Sequence, residues 1–401
     1  MTSYAEAVHG WSAHLRGGGT TPWSLWRERG EIPSGRAEPG VSEQHPLPSA
    51  THLELVRRIN LEAGGAATPG LADLVLTTAA PGRGRVDVPL TWPGEHGAPR
   101  FGTPPTEPEQ VPADELVRVA VGVLARQLPS LPTPPAAPDL TRWPAPWRRR
   151  FRLYGSPGTV AGVRSALLAQ GLVESDWRPV HVVLGRPFDV MMAEHWAATT
   201  ALGGHVRWAT LWRRAEANRS LPPRLDVVGI AERLAARSSG RRPSRDRVHV
   251  VVAREPDEVA AQVAQVLGLR TLHLGAGGDA ARTDLLRRLN RLTALTHGPG
   301  QVRRLATTLS ELLADSPARV PAIAVPAGSR KWARHSALAA AERLERPTEG
   351  AGYAVRGDPG SLVPSRSGPS SGIPGSIDPS QTLEVAVEAC LRTWRRQEGL
   401  T

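Results

Sequence analysis

Three stretches of this sequence carry glycine and hydroxyl residues in patterns that chemistry uses. Gly368-Pro-Ser370-Ser-Gly372 has the G-x-S-x-G spacing that exposes a nucleophilic serine on a sharp strand-to-helix turn. It lies in a Gly/Ser/Pro tract with no strand before it, so it reads as coincidence. Gly275-Ala-Gly277-Gly278-Asp-Ala280 follows a strand-like segment and opens a helix, where glycines let backbone N–H groups approach a phosphate. A tight turn needs the same glycines for positive φ alone, and no acidic ribose partner follows about twenty residues on. The third, Gly155-Ser156-Pro157-Gly158-Thr159, also joins a strand to a helix, and Ser156 or Thr159 is expected to cap that helix. Lys331 is the only lysine, so this loop lacks the cation of a Walker-type phosphate site.

Other reactive side chains are sparse. The 12 histidines include no HExxH pair, and Glu194-His195 with His181, His205 and His249 gives no metal-ligand spacing. The single cysteine, Cys390, excludes an intramolecular disulfide and a multi-cysteine zinc site. Trp196, Trp208 and Trp212 recur at helical intervals and are expected in a core rather than on a stacking platform.

The elements that must position these residues follow from patterning. The chain has 401 residues, 40% of them hydrophobic, enough for two or three domains with sizeable cores. No apolar run approaches the ~18 residues of a membrane span, and the N-terminus lacks a basic start before an apolar stretch, so a cytoplasmic location is expected. The net charge of +11 comes almost wholly from arginine, a skew typical of a GC-rich genome. Two clusters, Arg148 to Arg150 beside Trp147 and Arg241, Arg242, Arg245 and Arg247, are expected to be solvated surface. Nucleic acid is therefore not expected as a partner, a protein partner remains open, and nucleic-acid binding stays only as an alternative reading.

Residues 149–155, 180–185 and 247–253 read as strands, and 159–172, 188–202, 226–237 and 255–267 as helices. A last strand is expected at 271–275. Continuous Val/Leu strands alternating with helices predict an α/β fold, with a parallel sheet flanked by helices in the longer unit. Before it comes a mostly helical N-terminal unit, with helices at 4–16, 49–62 and 113–128 and a weak strand at 85–90. The expected boundaries are 1–128 for that unit, 129–147 for a proline-rich linker, 148–356 for the α/β domain, 357–380 for a disordered tract and 381–401 for an appended helix. An internal repeat crosses these boundaries. Trp11 and Trp23 lie twelve residues apart with Gly18 and Gly19 between them, as do Trp196 and Trp208 with Gly203 and Gly204. Glu54-Leu-Val-Arg-Arg-Ile-Asn60 is matched downstream by Asp284-Leu-Leu-Arg-Arg-Leu-Asn290. A short copy over about 4–90 and a longer one over about 150–357 are expected.

From residue 150 to about 364, the order of His181-Val-Val-Leu-Gly-Arg186, Trp196, Gly-Gly…Trp208, Leu221-Pro222, the 247–253 strand, the LLRRLN helix and Gly352-Tyr353-Ala-Val-Arg-Gly-Asp358 resembles the later two-thirds of a bacterial sulfotransferase-like family. The resemblance implies that Arg186 would contact the 3′-phosphate of a 3′-phosphoadenosine 5′-phosphosulfate donor, with Gly155, Ser156 and Thr159 as remnants of the donor loop. The sequence departs from the family in lacking its Lys-x-Gly-Thr loop. Eight residues beyond Arg186, where the family places a phosphate-binding serine, stands Glu194, whose charge would repel a phosphate. The expectation is a non-catalytic protein on a sulfotransferase-like scaffold whose P-loop and donor site are lost, needing no cofactor. The alternative is an active transferase using that donor.

Overall fold

From residue 150 onward, runs of branched apolar residues form strands, and the central ones are buried on both faces. A computed structural model describes residues 4–29, 48–66, 68–79, 88–92, 104–132, 149–238, 247–274, 279–316, 323–346, 352–364 and 377–399. The segments Gly275–Gly278 and Gly368–Gly372 fall outside these residues, as do nearly all of the expected linker and half of the expected disordered tract. The described ends of that tract are ordered, with a 3-10 turn at Pro359–Leu362 that buries Leu362 and the start of a helix at Pro379.

Five strands, β1 (Arg150–Gly155), β2 (Val173–Glu174), β3 (Val180–Gly185), β4 (Val248–Val252) and β5 (Ala354–Gly357), form one sheet in the order β2-β1-β3-β4-β5, and every pairing is parallel. Parallel neighbours require crossover connections, and helices supply them. One face is covered by α6 (Pro157–Ala169) and α10 (Pro256–Leu267), whose Val163, Leu167, Val259 and Val263 pack on Phe151, Val182, Leu184 and Val251. The other face is covered by α7 (Phe188–Ala201), α8 (Trp208–Ala217), α9 (Val227–Ser238) and α13 (Arg330–Glu345), built around Met191, Trp196, Trp212, Ala231 and Ala337. The chain is therefore α/β with a parallel sheet flanked by helices.

The sheet departs from the sequence reading at its edges. Residues 271–274 form no strand; the last strand is β5, only four residues long and half-exposed. Its single Val355 gives too short an apolar signal to recognise. The two-residue β2 is shorter still. The strand expected at 85–90 contributes only an isolated bridge, Leu90 to Thr106, among the described residues.

Contacts group residues 135–283 and 317–377 around this sheet and gather residues 1–134, 284–316 and 378–401 into a helical unit. The latter comprises α1 (Tyr4–Arg16), α2 (Trp23–Arg29), α3 (Ala50–Glu62), α4 (Pro69–Thr77), α5 (Ala113–Gln127), most of α11 (Ala280–Thr293), α12 (Pro299–Leu312) and α14 (Pro379–Gln397). The division differs from the expected boundaries, because α14 is not an appendage. It packs along α5, with Cys390 Sγ 3.9 Å from Ala120 O and Gln397 Nε2 donating to Gln127 O at 3.0 Å. Leu383, Val385, Ala386, Val387, Ala389, Cys390 and Leu391 are all buried. A helix enclosed on nearly every side shows no single apolar stripe, which explains its mixed sequence spacing.

Several segments share local geometry residue by residue. Trp23 opens α2 and Trp208 opens α8, each reached through a Gly turn with Gly18 at φ 90° and Gly203 at φ 95°. The Trp11–Trp23 rings lie 5.2 Å apart at 51°, the Trp196–Trp208 rings 5.8 Å apart at 52°. Trp11 donates to Thr21 O and Trp196 to Val206 O, both ten residues on. In α3, Glu54 accepts from Arg57 and Arg58; in α11, Asp284 accepts from Arg287 and Arg288 through the same guanidinium atoms. In α4, Thr77 and Thr78 donate to Asp73 O and Leu74 O; in α12, Thr307 and Thr308 donate to Arg303 O and Arg304 O.

Candidate functional site

The strand order places the topological switch at β1 and β3, from whose carboxyl ends the chain leaves toward opposite sides of the sheet. Ligands of doubly wound folds bind in the crevice there. The four residues singled out in the sequence, Gly155, Ser156, Thr159 and Arg186, all lie at this point.

Gly155 ends β1 at φ 135°, and a Cβ there would stand 2.5 Å from Leu184 O. Its role is close passage past β3. Pro157 occupies the first turn of α6, where its missing N–H is no loss. Ser156 holds the N-cap position but makes no side-chain cap, and neither does Thr159, contrary to expectation. The cap comes instead from Glu194, two turns into α7.

Glu194 gathers both hydroxyls of the loop and one of its backbone N–H groups. Thr159 N–H donates to Oε2 at 2.7 Å, and Thr159 Oγ1 lies 2.9 Å from both carboxylate oxygens. Ser156 Oγ donates to Oε2, and Arg186 Nη1 donates to Oε1 at 3.0 Å. A carboxylate at a helix N-terminus meets both unsatisfied N–H groups and the positive end of the helix dipole, which is why it displaces a neutral hydroxyl cap. Gly158 makes room for it, since a Cβ there would lie 2.9 Å from the Glu194 side chain. The ion pair is largely enclosed, with 12% of the Arg186 side chain and 11% of the Glu194 side chain exposed. The remaining Arg186 donors reach Arg254 O at 3.2 and 3.4 Å.

Ser156, Thr159 and Arg186 thus converge on Glu194. Glu194, whose charge would repel a phosphate, itself occupies the place at the helix N-terminus where an anion would sit.

Asp189, in the first turn of α7, has Oδ1 buried without a hydrogen-bond partner among the described residues. Burial raises its pKa, opposed by backbone N–H donors and by Arg254 and Arg186. His195 is held below the ordinary imidazole range by burial and then by Arg224. Lys331 lies on α13, outside the β1–α6 loop. No group of three or more metal-ligating side chains occurs among the described residues, and none of their helices is long and apolar enough to cross a membrane.

The arrangement holds opposite charges still. The side chains of Ser156, Thr159 and Arg186 all donate within it. No known family model, curated protein or solved structure matches the chain.

Proposed function

We propose that this chain is a non-catalytic binding or scaffold protein, built on a doubly wound α/β unit whose anion site has become a structural lock. The observation that carries the reading is the convergence of Ser156, Thr159 and Arg186 on Glu194. A phosphate or sulfonate entering the crevice must either displace a buried, fully hydrogen-bonded carboxylate or sit against its charge. Breaking such a pair costs about 3–5 kcal/mol, which an incoming anion would have to offset before gaining any affinity. In this reading the sulfotransferase-like resemblance records ancestry, and the protein works in the cytoplasm without a nucleotide cofactor.

The recurrent geometry supports a scaffold assembled by duplication. Matching tryptophan pairs, arginine-gripping acids and threonine pairs occur in the same chain order, in α1 to α4 and in α7, α8, α11 and α12. The helices α5 and α14 continue the series with the similar segments Val119-Ala-Val-Gly-Val-Leu-Ala-Arg126 and Val385-Ala-Val-Glu-Ala-Cys-Leu-Arg392.

Thermal melting in adenosine 3′,5′-bisphosphate tests the reading. A ligand at 100 times its Kd stabilises the native state by about 2.7 kcal/mol. The native chain is expected to show no shift at millimolar nucleotide, while Glu194→Ser, which vacates the donors, is expected to melt higher with phosphate or nucleotide present. A clear shift of the native chain would favour a transferase using 3′-phosphoadenosine 5′-phosphosulfate instead.

A further inference from the structure

Arg150 and Arg247, which belong to arginine clusters far apart in sequence, lie at the same end of two strands of the sheet, while Arg148, Arg241, Arg242 and Arg245 fall outside the described residues. Arg150 and Arg152 enter β1, and Arg247 immediately precedes β4, with β3 between these strands. His181 on β3 pairs in register with Arg152 on one side and Val248 on the other, and its N–H donates to Arg247 O at 2.7 Å. Arg150, Arg152 and Tyr154 alternate with the buried Phe151 and Leu153, so they share one face of β1.

An exposed indole stands beside them. Trp177, in the turn between β2 and β3, is 62% exposed, the most exposed tryptophan among the described residues. The Arg150 guanidinium lies 4.1 Å from its ring centroid and that of Arg178 lies 5.4 Å away. Arg178 adopts a left-handed conformation at φ 48°, which few residues other than glycine tolerate without a compensating role. Arg150 Nε has no hydrogen-bond partner among the described residues. On the same face of the sheet the half-buried rings of Tyr154 and His181 lie 5.8 Å apart, joined by a 3.1 Å hydrogen bond.

The charge of this face is one-sided. Burial and then the charges of Arg152 and Arg247 hold His181 below the ordinary imidazole range; Arg237 and Arg152 also act on Tyr154, whose phenol burial raises. The only acid felt by both rings is Asp176, which pairs with Arg152 at 3.3 Å.

We propose that this face, centred on Trp177 and bordered by Arg150, Arg152, Arg178, Arg237 and Arg247, binds single-stranded nucleic acid. Arginines beside an exposed indole supply both requirements of sequence-tolerant single-strand binding: cations that follow the phosphates and a ring, or a guanidinium plane, on which a base stacks. A base inside a duplex is already stacked, so the indole favours single strands. The site lies at the amino ends of the strands, whereas the Glu194 crevice lies at their carboxyl ends, and it does not depend on the reading of that crevice.

Fluorescence anisotropy with a labelled mixed-sequence 20-nucleotide strand and the full chain tests this. Binding is expected at ~50 mM salt, weakening with a log–log salt slope of about −3, for roughly four or five neutralised phosphates. Trp177→Ala should weaken it about 5- to 150-fold, as loss of one stacked base would, and Trp177→Phe should recover most of that loss. Arg150→Ser with Arg152→Ser should flatten the slope by about 1.4. Photocrosslinking of a bromouridine strand, mapped by mass spectrometry, should label Trp177 or residues 150–152 without any substitution. Absence of binding at ~50 mM salt, tighter binding of duplex than of single strands, or binding indifferent to both the tryptophan and the arginine changes would overturn the proposal.

Discussion

Arg186 Nη1 lies 3.0 Å from Glu194 Oε1, and the two charges are shared by the end of β3 and the first turn of α6. Removing the carboxylate strands a buried guanidinium and uncaps a helix together. Glu194→Ala is therefore expected to lower unfolding free energy by about 3–5 kcal/mol in urea titrations at neutral pH. A double-mutant cycle with Arg186→Ala should show strong coupling. A loss below about 1 kcal/mol would mean that the lock is dispensable.

Gly155 allows β1 to leave the sheet past Leu184. At φ 135° and 2.5 Å from a backbone oxygen, an added methyl group has neither conformational nor physical room. Gly155→Ala should destabilise the α/β unit far more than Gly171→Ala, where a Cβ would meet nothing within 4 Å despite a φ of 81°. Comparable melting temperatures for the two variants would contradict this.

Trp11, Trp23, Trp196 and Trp208 are all at least 96% buried, and each indole N–H donates to a backbone carbonyl. Replacing Trp23 or Trp208 by alanine is expected to cost about 3–5 kcal/mol, as other large core truncations do. Chemical denaturation of both variants gives the comparison. A cost under about 1 kcal/mol at either position would show that its pair does not support its core.

His181 and His195 make stability depend on pH. Burial is the first cause at both, followed by nearby arginines, and it holds each folded pKa below the unfolded value of about 6.5. Between folded and unfolded values the unfolded chain binds more protons, so stability rises with pH and is lost as pH falls below about 6.5. Melting temperatures should drop between pH 7.5 and 5.5. The drop should shrink in His181→Gln and His195→Gln; an unchanged slope in both would assign it to other groups.

Cys390 is fully buried between α5 and α14, and burial alone pushes its thiol up to about 12. Reactivity requires the thiolate. Iodoacetamide at pH 8 should leave it unmodified in the native chain and label it once the helical unit unfolds.

The continuous valine runs of β3 and β4 made the parallel sheet legible, and glycines ahead of helices made the switch-point loop legible. What escaped notice depends on partners distant in sequence. Glu194 is an ordinary helix residue until Ser156 and Thr159, more than thirty positions earlier, turn toward it. Val355 looks unremarkable until β4 lies alongside. Arg247 and Arg152 stand 95 positions apart in the chain until β3 brings their strands together. Spacing within a segment reports what that segment must bury, and it is silent about which distant segment completes a site.

The pairing of α5 with α14 sets an order of events during synthesis. The valine-rich face of α5 leaves the ribosome about 250 residues before its covering helix begins. At roughly 5–20 residues per second, it must wait on the order of ten to fifty seconds. The sheet-forming strands β1 to β4 emerge within that interval, so the α/β unit can begin to consolidate while the helical unit remains open. Until α14 is made, only the sides of α5 that face α3 and α4 can be covered, and its α14-facing side stays open as a surface on which a chaperone would be expected to dwell.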